Sequence, residues 1–274
     1  MRTLLLVLAA WLHASAVLAA VVPSSESEAV VLGHFEARNR ADLDGLLALL
    51  SPDVQVYEQP VGPHRLVGSL SGTTGTYDRF RDFFRKQLNR PQPRQEIVDM
   101  VSLGDLVVSR TAIATPDNSP ADHVLDVFRV RDGVIDRIWH LATVADAAPD
   151  SGADAQAVTQ RLQVAGNRAD ADGFVALFHD DARHFHPRRD PSVLGGAPVP
   201  SVYDRASRTR AHREMFAHGP TAQVRIGDSV ALGEWVADIE HFNFLDGRKE
   251  DHLSLNRVRD GLILDTWHLA DRKR

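Results

Sequence analysis

The sequence of 274 residues contains no cysteine. This absence excludes disulfides, a thiolate metal site and a thiol nucleophile. Clustered positive charge is also absent, because the 31 lysines and arginines are scattered and are outnumbered by 37 acidic residues, for a net charge of −6. A chain without a basic patch has no electrostatic footprint for nucleic acid, so we expect no nucleic-acid partner.

One long apolar run lies at the N-terminus and predicts a targeting signal. A single positive charge at Arg2 precedes apolar residues 4–12, and residues 17–19 match the small-residue pattern before a cleavage site. His13 interrupts the run, which is too short to span a membrane. We therefore predict a signal peptide over residues 1–19, no membrane span, and an exported protein that is periplasmic or secreted. Loss of Arg2 would leave a net charge of −7.

Most of the remaining chain is an internal repeat. Residues 39–45 recur as residues 167–173, which lie 128 positions later, and the same offset relates residues 129–133 to residues 257–261. Residues 139–142 (WHLA) recur at 267–270 with the same spacing. About 250 mature residues exceed the usual size of one domain. We predict two tandem domains, at residues 25–145 and 153–271.

Each copy has helical periodicity first and strand periodicity afterwards. In the first copy Asp42 precedes an apolar stripe with i, i+3, i+4, i+7 spacing, which predicts a capped helix. The later segments alternate with period two, and Asp132–Gly133 predicts a hairpin turn. The order predicts an α+β fold in which three helices, with Phe80, Phe83 and Phe84 on the inner side of the third, cover one face of a curved, mostly antiparallel sheet.

The element order and two motifs resemble the ketosteroid-isomerase/SnoaL superfamily, whose fold is also called nuclear-transport-factor-2-like or cystatin-like. The motifs are residues 41–50 (ADLDGLLALL), continuing to the strand that ends at residue 58, and the hairpin at residues 128–133 (FRVRDG). The resemblance covers both copies. It implies two cone-shaped domains, each with an internal cavity, and it leaves the activity open because one fold serves many functions.

Three polar residues of the first copy are candidates for acid–base chemistry. Glu58 ends a strand face that carries Val54 and Val56, while Asp126 lies between apolar neighbours, where desolvation raises a carboxyl pKa. His34 faces inward from the first helix. The resemblance places Glu58 at the general base, Asp126 at the acid that donates to an oxyanion, and His34 where that family has a tyrosine.

The second copy differs at these positions. His186 occupies the base position, Ser254 the acid position, and Leu162 the tyrosine position. His184 shares a strand face with His186, and with His241 or His268 the pair could supply metal donors. The spacing specifies no metal, however, and we expect neither a metal nor a cofactor.

The closing strand of each sheet carries a Trp–His pair. Successive strand residues face opposite sides, so one member of each pair faces the cavity and the other the outer surface of the sheet. The sequence does not say which member faces which side. We therefore take both members as candidate substrate-binding residues, together with a phenylalanine and a serine of the preceding strands: Phe128, Trp139, His140, Ser254, Trp267 and His268.

Three functions remain open at this stage. The first is an exported protein that binds a small, mainly apolar molecule in one or both cones. The second is an isomerase, dehydratase or cyclase that acts next to a carbonyl through Glu58 and Asp126. The third is a non-catalytic scaffold in which the two domains pair within one chain as a pseudo-dimer, so that the protein is a monomer.

Overall fold

The computed structural model describes residues 21–57, 77–90, 92–114, 121–148, 150–187, 194, 196–202 and 204–274. The predicted signal peptide and Glu58 lie outside these residues. So do residues 60–76 and the side chain of Phe80. Within the described ranges, no helix has both the length and the apolar character needed to cross a membrane.

The helices of the first repeat begin at side-chain caps. Ser25 accepts a hydrogen bond from the backbone N–H of Glu28, and Asp42 accepts one from Gly45 at 2.9 Å, which confirms the predicted cap. Ala41, just before Asp42, has a positive φ of 54° that turns the chain between the two helices. The described helices are α1 (Glu26–Asn39), α2 (Leu43–Ala48) and α3 (Tyr77–Leu88).

The first sheet follows the predicted alternation of residues. Its described strands lie in the order β1-β5-β4-β3-β2, with β1 parallel to β5 and the other pairs antiparallel. Asp132 and Gly133 have φ values of 51° and 77°, so the predicted hairpin turn is confirmed. The strands are β1 (Leu50–Tyr57), β2 (Gln95–Leu103), β3 (Leu106–Ile113), β4 (Asp122–Arg131) and β5 (Val134–Val144).

The second repeat has the same order of elements. Its sheet runs β7-β6-β11-β10-β9-β8 among the described residues, so it adds only the short edge strand β7 to the first pattern. Its helices are α4 (Ala153–Asn167), α5 (Ala171–Ala176) and α6 (Arg205–Met215). Its strands are β6 (Phe178–His186), β7 (Ala197–Pro198), β8 (Ala222–Leu232), β9 (Trp235–Phe244), β10 (Lys249–Arg259) and β11 (Leu262–Lys273).

Helices cover one face of each sheet and bury a separate core there. In the first repeat Val31 and Phe35 of α1 pack on Phe128 of β4, while Phe84 of α3 closes the same core. Phe83, which the helical spacing placed on the inner side of α3, is instead 38% exposed, so that assignment is corrected. The residue lies beside Phe84 with its ring at a right angle to that neighbour.

The uncovered faces of the two sheets meet each other. One apolar core contains Val108 and Val127 of the first sheet together with Leu253 and Leu255 of the second. Its aromatic rings stack in pairs, which are Tyr57 on Trp139, Phe185 on Trp267, and Trp235 on Trp267.

Two predicted binding residues lie in this shared core. Trp139 and Trp267 are 5% and 1% exposed, and both belong to the sheet faces that pack against each other. Trp139 and Trp267 therefore do not line the helix-covered interiors, and their candidate role in substrate binding is corrected. The alternation of strand residues then directs the neighbouring histidines, His140 and His268, toward the helix-covered faces.

A buried arginine ties the linker to both repeats. Arg110 of β3 donates hydrogen bonds to the carbonyl oxygens of Ala148 and Ser151 in the linker, at 3.0 and 3.3 Å, and to that of Ala231 in β8 at 3.4 Å. Its Nε also donates to Nδ1 of His123 at 2.7 Å. Such bonds satisfy backbone carbonyls that would otherwise be costly to bury.

Candidate functional site

A row of side chains crosses the helix-covered face of the first sheet. Strand register pairs Met100 with Ser109, Ser109 with Asp126, and Asp126 with His140. The alternation directs all four toward the helices, because their strand neighbours Val108 and Val127 belong to the shared core. Asp126 therefore faces the helix-covered side of the first sheet.

Asp126 and His140 form a close pair. Nδ1 of His140 lies 2.7 Å from Oδ1 of Asp126, and the ring N–H donates to the carboxylate. The Asp126 side chain is 7% exposed, whereas that of His140 is 38% exposed. Because His140 faces the helix-covered side, its exposure marks a place where solvent reaches the interior of the first repeat.

Helix α1 adds His34 and Arg38 to the same interior. The two residues are four positions apart and so lie on one side of the helix. The His34 ring is 6.2 Å from the Phe128 ring, and its Nδ1 has no hydrogen-bond partner among the described residues. Burial, and then the charge of Arg38, lower the pKa of His34 to about 3, so the ring is neutral.

Arg38 brings a positive charge close to Asp126. Burial lowers the pKa of its guanidinium, and the charge of Asp126 acts in the opposite direction. The guanidinium lies 5.7 Å from the centre of the Phe84 ring, a cation–π distance. The sequence reading missed Arg38, although its spacing of four from His34 could have revealed it.

Two hydroxyl groups of β3 complete the polar part of this interior. Ser109 and Thr111 are fully or almost fully buried, and their hydroxyl oxygens have no hydrogen-bond partner among the described residues. Together with His34 and Arg38 they form a set of donors surrounded by apolar rings. Phe128 belongs to the apolar part, and its role in substrate binding stays a prediction, while Glu58 lies outside the described residues.

The second repeat carries a different row at the same register. Ser229 pairs with Asp238, Asp238 with Ser254, and Ser254 with His268. Ser254 and His268 therefore face the helix-covered side, and Oγ of Ser254 lies 3.3 Å from Nδ1 of His268. The same hydroxyl donates a hydrogen bond of 2.6 Å to Oε2 of Glu240.

Glu240 and Asp238 were not identified from the sequence. Burial raises the pKa of Glu240 to about 7; the hydrogen bond from Ser254 acts against this shift, and the charge of Asp238 adds to it. Burial likewise raises the pKa of Asp238, and the hydrogen bond that its Oδ1 accepts from Ser229 acts against this shift. The sequence did contain a signal for these two residues, because they alternate along β9 with the apolar Ala237 and Ile239, which are buried.

Several imidazole rings gather beside Ser254. The His268 ring lies 4.7 Å from that of His184, 5.3 Å from that of His186 and 5.8 Å from that of His252. Burial and the neighbouring histidines lower the pKa of His184 to about 4, and that of His268 also falls well below its usual value. No group of three or more histidine, aspartate or glutamate side chains in the described ranges could hold a metal ion.

His241 lies on the opposite face of the second sheet and does not join this cluster. Its Nδ1 is 2.6 Å from Oδ1 of Asp251, which also binds Arg272 at 3.2 Å. These residues line a hollow of about 500 Å³ between the repeats, together with Asp99 and other residues of the first repeat. The sequence-based grouping of His241 with His184 and His186 is therefore corrected.

The first repeat matches a known family. The family model described as "SnoaL-like domain" matches residues 31–138. This repeat is a SnoaL-like domain. The element order and sheet topology of residues 153–273 are the same, so the chain contains two SnoaL-like folds in tandem, of the α+β class.

The chain is similar to several solved structures, each of which covers less than half of it. A proposed ketosteroid isomerase from Kribbella flavida is 18% identical over 45% of this chain and 79% of that chain, with a TM-score of 0.34. IdmH, a proposed polyketide cyclase from Streptomyces antibioticus, is 21% identical over 43% and 92%, with a TM-score of 0.33. An uncharacterized cystatin fold protein from Novosphingobium aromaticivorans is 19% identical over 44% and 100%, with a TM-score of 0.35. None of the curated proteins matches the chain.

The two SnoaL-like interiors differ in chemistry. The first is apolar with a few donors, because Phe128 and Ile138 occupy positions at which the second has Asn256 and Thr266. Asn256 and Thr266 hydrogen-bond to each other at 2.7 Å. At the position of His34, Leu162 of α4 packs against the core of the second repeat. The second interior also contains the carboxylates of Asp238 and Glu240, whereas the Asp126 carboxylate of the first lies close to Arg38.

Proposed function

We propose that the first SnoaL-like domain binds a small, mainly apolar molecule that carries an oxygen acceptor. The observation that carries this proposal is the buried His34 ring, whose Nδ1 is unpartnered beside Arg38 and Phe128. The apolar rings would contact the body of the molecule. The donors at His34, Arg38 and Thr111 would contact its oxygen.

The energetic cost of burying unpartnered polar groups supports a ligand-binding role for them. A buried polar group without a partner costs about 1–3 kcal/mol of stability. His34, Ser109 and Thr111 impose this cost in one interior, because Ser109 and Thr111 lie on the sheet face that carries the partly exposed His140 and His34 of α1 packs over that face. A bound ligand would offset this cost, because its oxygen would accept the hydrogen bonds that these groups do not make within the protein.

The experiment is a native mass-spectrometry and thermal-shift screen of the mature chain against small apolar ketones, esters and carboxylic acids. Any hit is then measured by calorimetry with His34→Leu, which installs the residue found at the equivalent position of the second repeat. We expect at least a tenfold loss of affinity. Leu162→Ala is the matched control and should keep it. Unchanged affinity in His34→Leu would overturn the proposal.

An acid–base enzyme is the second candidate, and the Asp126–His140 pair favours it. The pair can hold a proton at the edge of the interior, and Arg38 lies close enough to steady a developing negative charge. Glu58 as the base remains a prediction from sequence. On a true substrate, Glu58→Gln and Asp126→Asn should each abolish turnover in a chain whose circular dichroism shows that it still folds. Wild-type rates in both variants would exclude this candidate.

The third candidate function concerns the pairing of the repeats. We propose that the chain is a monomer in which the two domains form a pseudo-dimer, and the apolar core shared by their sheets supports this. Light scattering coupled to size exclusion should give the mass of one chain, near 30.2 kDa before any processing. A mass twice as large would contradict it.

Export of the protein is also proposed. The Arg2 charge, the apolar run and the small residues at 17–19 support a cleaved signal. Expression in a bacterial host with fractionation should place the chain in the periplasm or the medium, and intact-mass analysis should find an N-terminus near Ala20. A cytoplasmic chain that retains Met1 would contradict the proposal.

A further inference from the structure

The interior of the second repeat contains two carboxylates without a cationic partner. Oδ1 of Asp238 accepts a hydrogen bond of 2.6 Å from Ser229, and Glu240 accepts one from Ser254. Among the described residues, no lysine or arginine forms an ion pair with either carboxylate. Asp238 is 1% exposed, and its Oδ2 has no hydrogen-bond partner in the described part of the chain.

The positive charges nearby are already engaged. Arg208 of α6 is buried and donates to the carbonyl oxygens of Ala182, Val202 and His179. Arg248 at the edge of the sheet binds Glu250 at 3.2 Å. Neither arginine therefore neutralises the two inner carboxylates.

The imidazole rings beside these carboxylates add hydrogen-bond acceptors but no positive charge. His184 and His268 face this interior as neutral imidazoles, because burial disfavours their charged forms. A neutral imidazole keeps one nitrogen that can accept a hydrogen bond. His184, His268 and Glu240 are each partly accessible to solvent although they face the helix-covered side.

We propose that the interior of the second repeat binds a small organic cation, a protonated amine, between the carboxylates of Asp238 and Glu240 and the rings of His184 and His268. An ammonium group has three donors and no acceptor, which complements a site of acceptors. Its charge offsets the cost of burying a carboxylate that contacts only neutral hydroxyls. This site is separate from the one proposed for the first repeat and needs the opposite ligand chemistry.

The test compares amines with alcohols of the same shape, using the full mature chain. Calorimetry at pH 8, above the pKa of about 7 of Glu240, measures the contribution of the positive charge by comparing benzylamine and cyclohexylamine with benzyl alcohol and cyclohexanol. We expect each amine to bind at least tenfold more tightly than its alcohol. Equal affinity of amine and alcohol, or no amine binding at millimolar concentration, would overturn the proposal.

Variants locate the site. Glu240→Gln keeps the shape of the side chain and its contact with Ser254 but removes the charge, and it should weaken amine binding at least tenfold. Asp238→Asn should act in the same direction. Circular dichroism and the melting curve verify that each variant folds. Full amine affinity in both folded variants would contradict the assignment.

A matched control separates this site from the first one. Asp126→Asn removes a carboxylate at the register that Ser254 occupies in the second repeat, and it should leave amine affinity unchanged. Ring-proton NMR of the histidines gives an independent readout, because an amine in this interior should shift the signals of His184 and His268 but leave those of His34. Shifts confined to His34 would place the amine in the first repeat and overturn the proposal.

Discussion

Asp126 lies directly opposite Ser109 in the first sheet, and at the same register of the second sheet Ser254 lies opposite Asp238. The carboxylate and the hydroxyl have thus exchanged strands between the repeats. The exchange moves the negative charge about 4.8 Å across the sheet. In the first repeat the Asp126 carboxylate is hydrogen-bonded to the imidazole of His140. In the second, the Asp238 carboxylate accepts a hydrogen bond from the hydroxyl of Ser229.

The Asp126–His140 pair should be energetically coupled. Its hydrogen bond is short and its carboxylate is buried, so each partner loses a stabilising contact when the other is removed. A double-mutant cycle with Asp126→Asn and His140→Phe in urea should give a coupling free energy of about 1 kcal/mol. Destabilisations that simply add within error would show that the contact contributes nothing.

The buried histidines should make the protein sensitive to acid. The folded-state pKa of His34 is about 3 and that of His184 is about 4, both below the ordinary value of 6.5. Below pH 6.5 these histidines become protonated in the unfolded chain but stay neutral in the folded chain, so a lower pH favours unfolding. The stability that these residues contribute is therefore present above pH 6.5 and is lost as the pH falls toward 3.

Urea denaturation between pH 7 and pH 4 measures this loss. Each buried histidine should contribute a slope of up to about 1.4 kcal/mol per pH unit. His34→Leu should flatten the decline, whereas His218→Gln, at an exposed position, should leave it unchanged. An identical pH profile in His34→Leu and the wild type would rule out the neutral buried ring.

Glu240 should have the opposite pH dependence. Its folded-state pKa of about 7 is above the ordinary value of 4.5. Its contribution to stability is therefore fully present below pH 4.5 and is lost as the pH rises through 7, with a slope of up to about 1.4 kcal/mol per unit. Glu240→Gln cannot titrate, so its melting temperature relative to wild type should rise between pH 4.5 and pH 8.

Ser254→Ala provides the control for that series. The Ser254 hydroxyl stabilises the ionised form of Glu240, so its removal should raise the pKa of Glu240 further and extend the loss of stability to higher pH. A constant difference between Glu240→Gln and wild type across the whole pH range would mean that Glu240 titrates normally.

The sequence was sufficient for the architecture because that rests on local signals and on repetition. Residues 39–45 and 167–173 cap equivalent helices through Asp42 and Asp170, and equivalent Asp–Gly turns have positive φ values at Asp132 and Asp260. A helix cap and a tight turn depend on a few adjacent residues. Such features can be predicted from one sequence without knowledge of tertiary contacts.

The site was less accessible because its residues meet only across strands. Period-two alternation gives the two faces of a strand but does not say which face meets helices, so Trp139 and His140 could not be separated. Arg38 and Glu240 were missed for a related reason. Each is surrounded in sequence by residues of ordinary composition, and only the register and the helix packing bring them beside Asp126 and Ser254.

The shared core predicts that the two repeats unfold together. Leu255 of β10 is fully buried among side chains of both sheets. Leu255→Ala should cost about 2–5 kcal/mol, as large-to-small core substitutions do. Because part of that core belongs to the first sheet, the loss should be shared by the first repeat.

Hydrogen exchange measured by mass spectrometry gives a readout for each repeat. In Leu255→Ala, the amides of β3 in the first repeat should exchange faster together with those of β10. Ile263→Ala is the control, because Ile263 is buried in the helix-covered core of the second repeat. Its effect on β3 should be smaller than that of Leu255→Ala at equal loss of stability. Faster exchange confined to β10 in Leu255→Ala, or two separate unfolding transitions in the wild type, would mean that the sheets touch without stabilising each other.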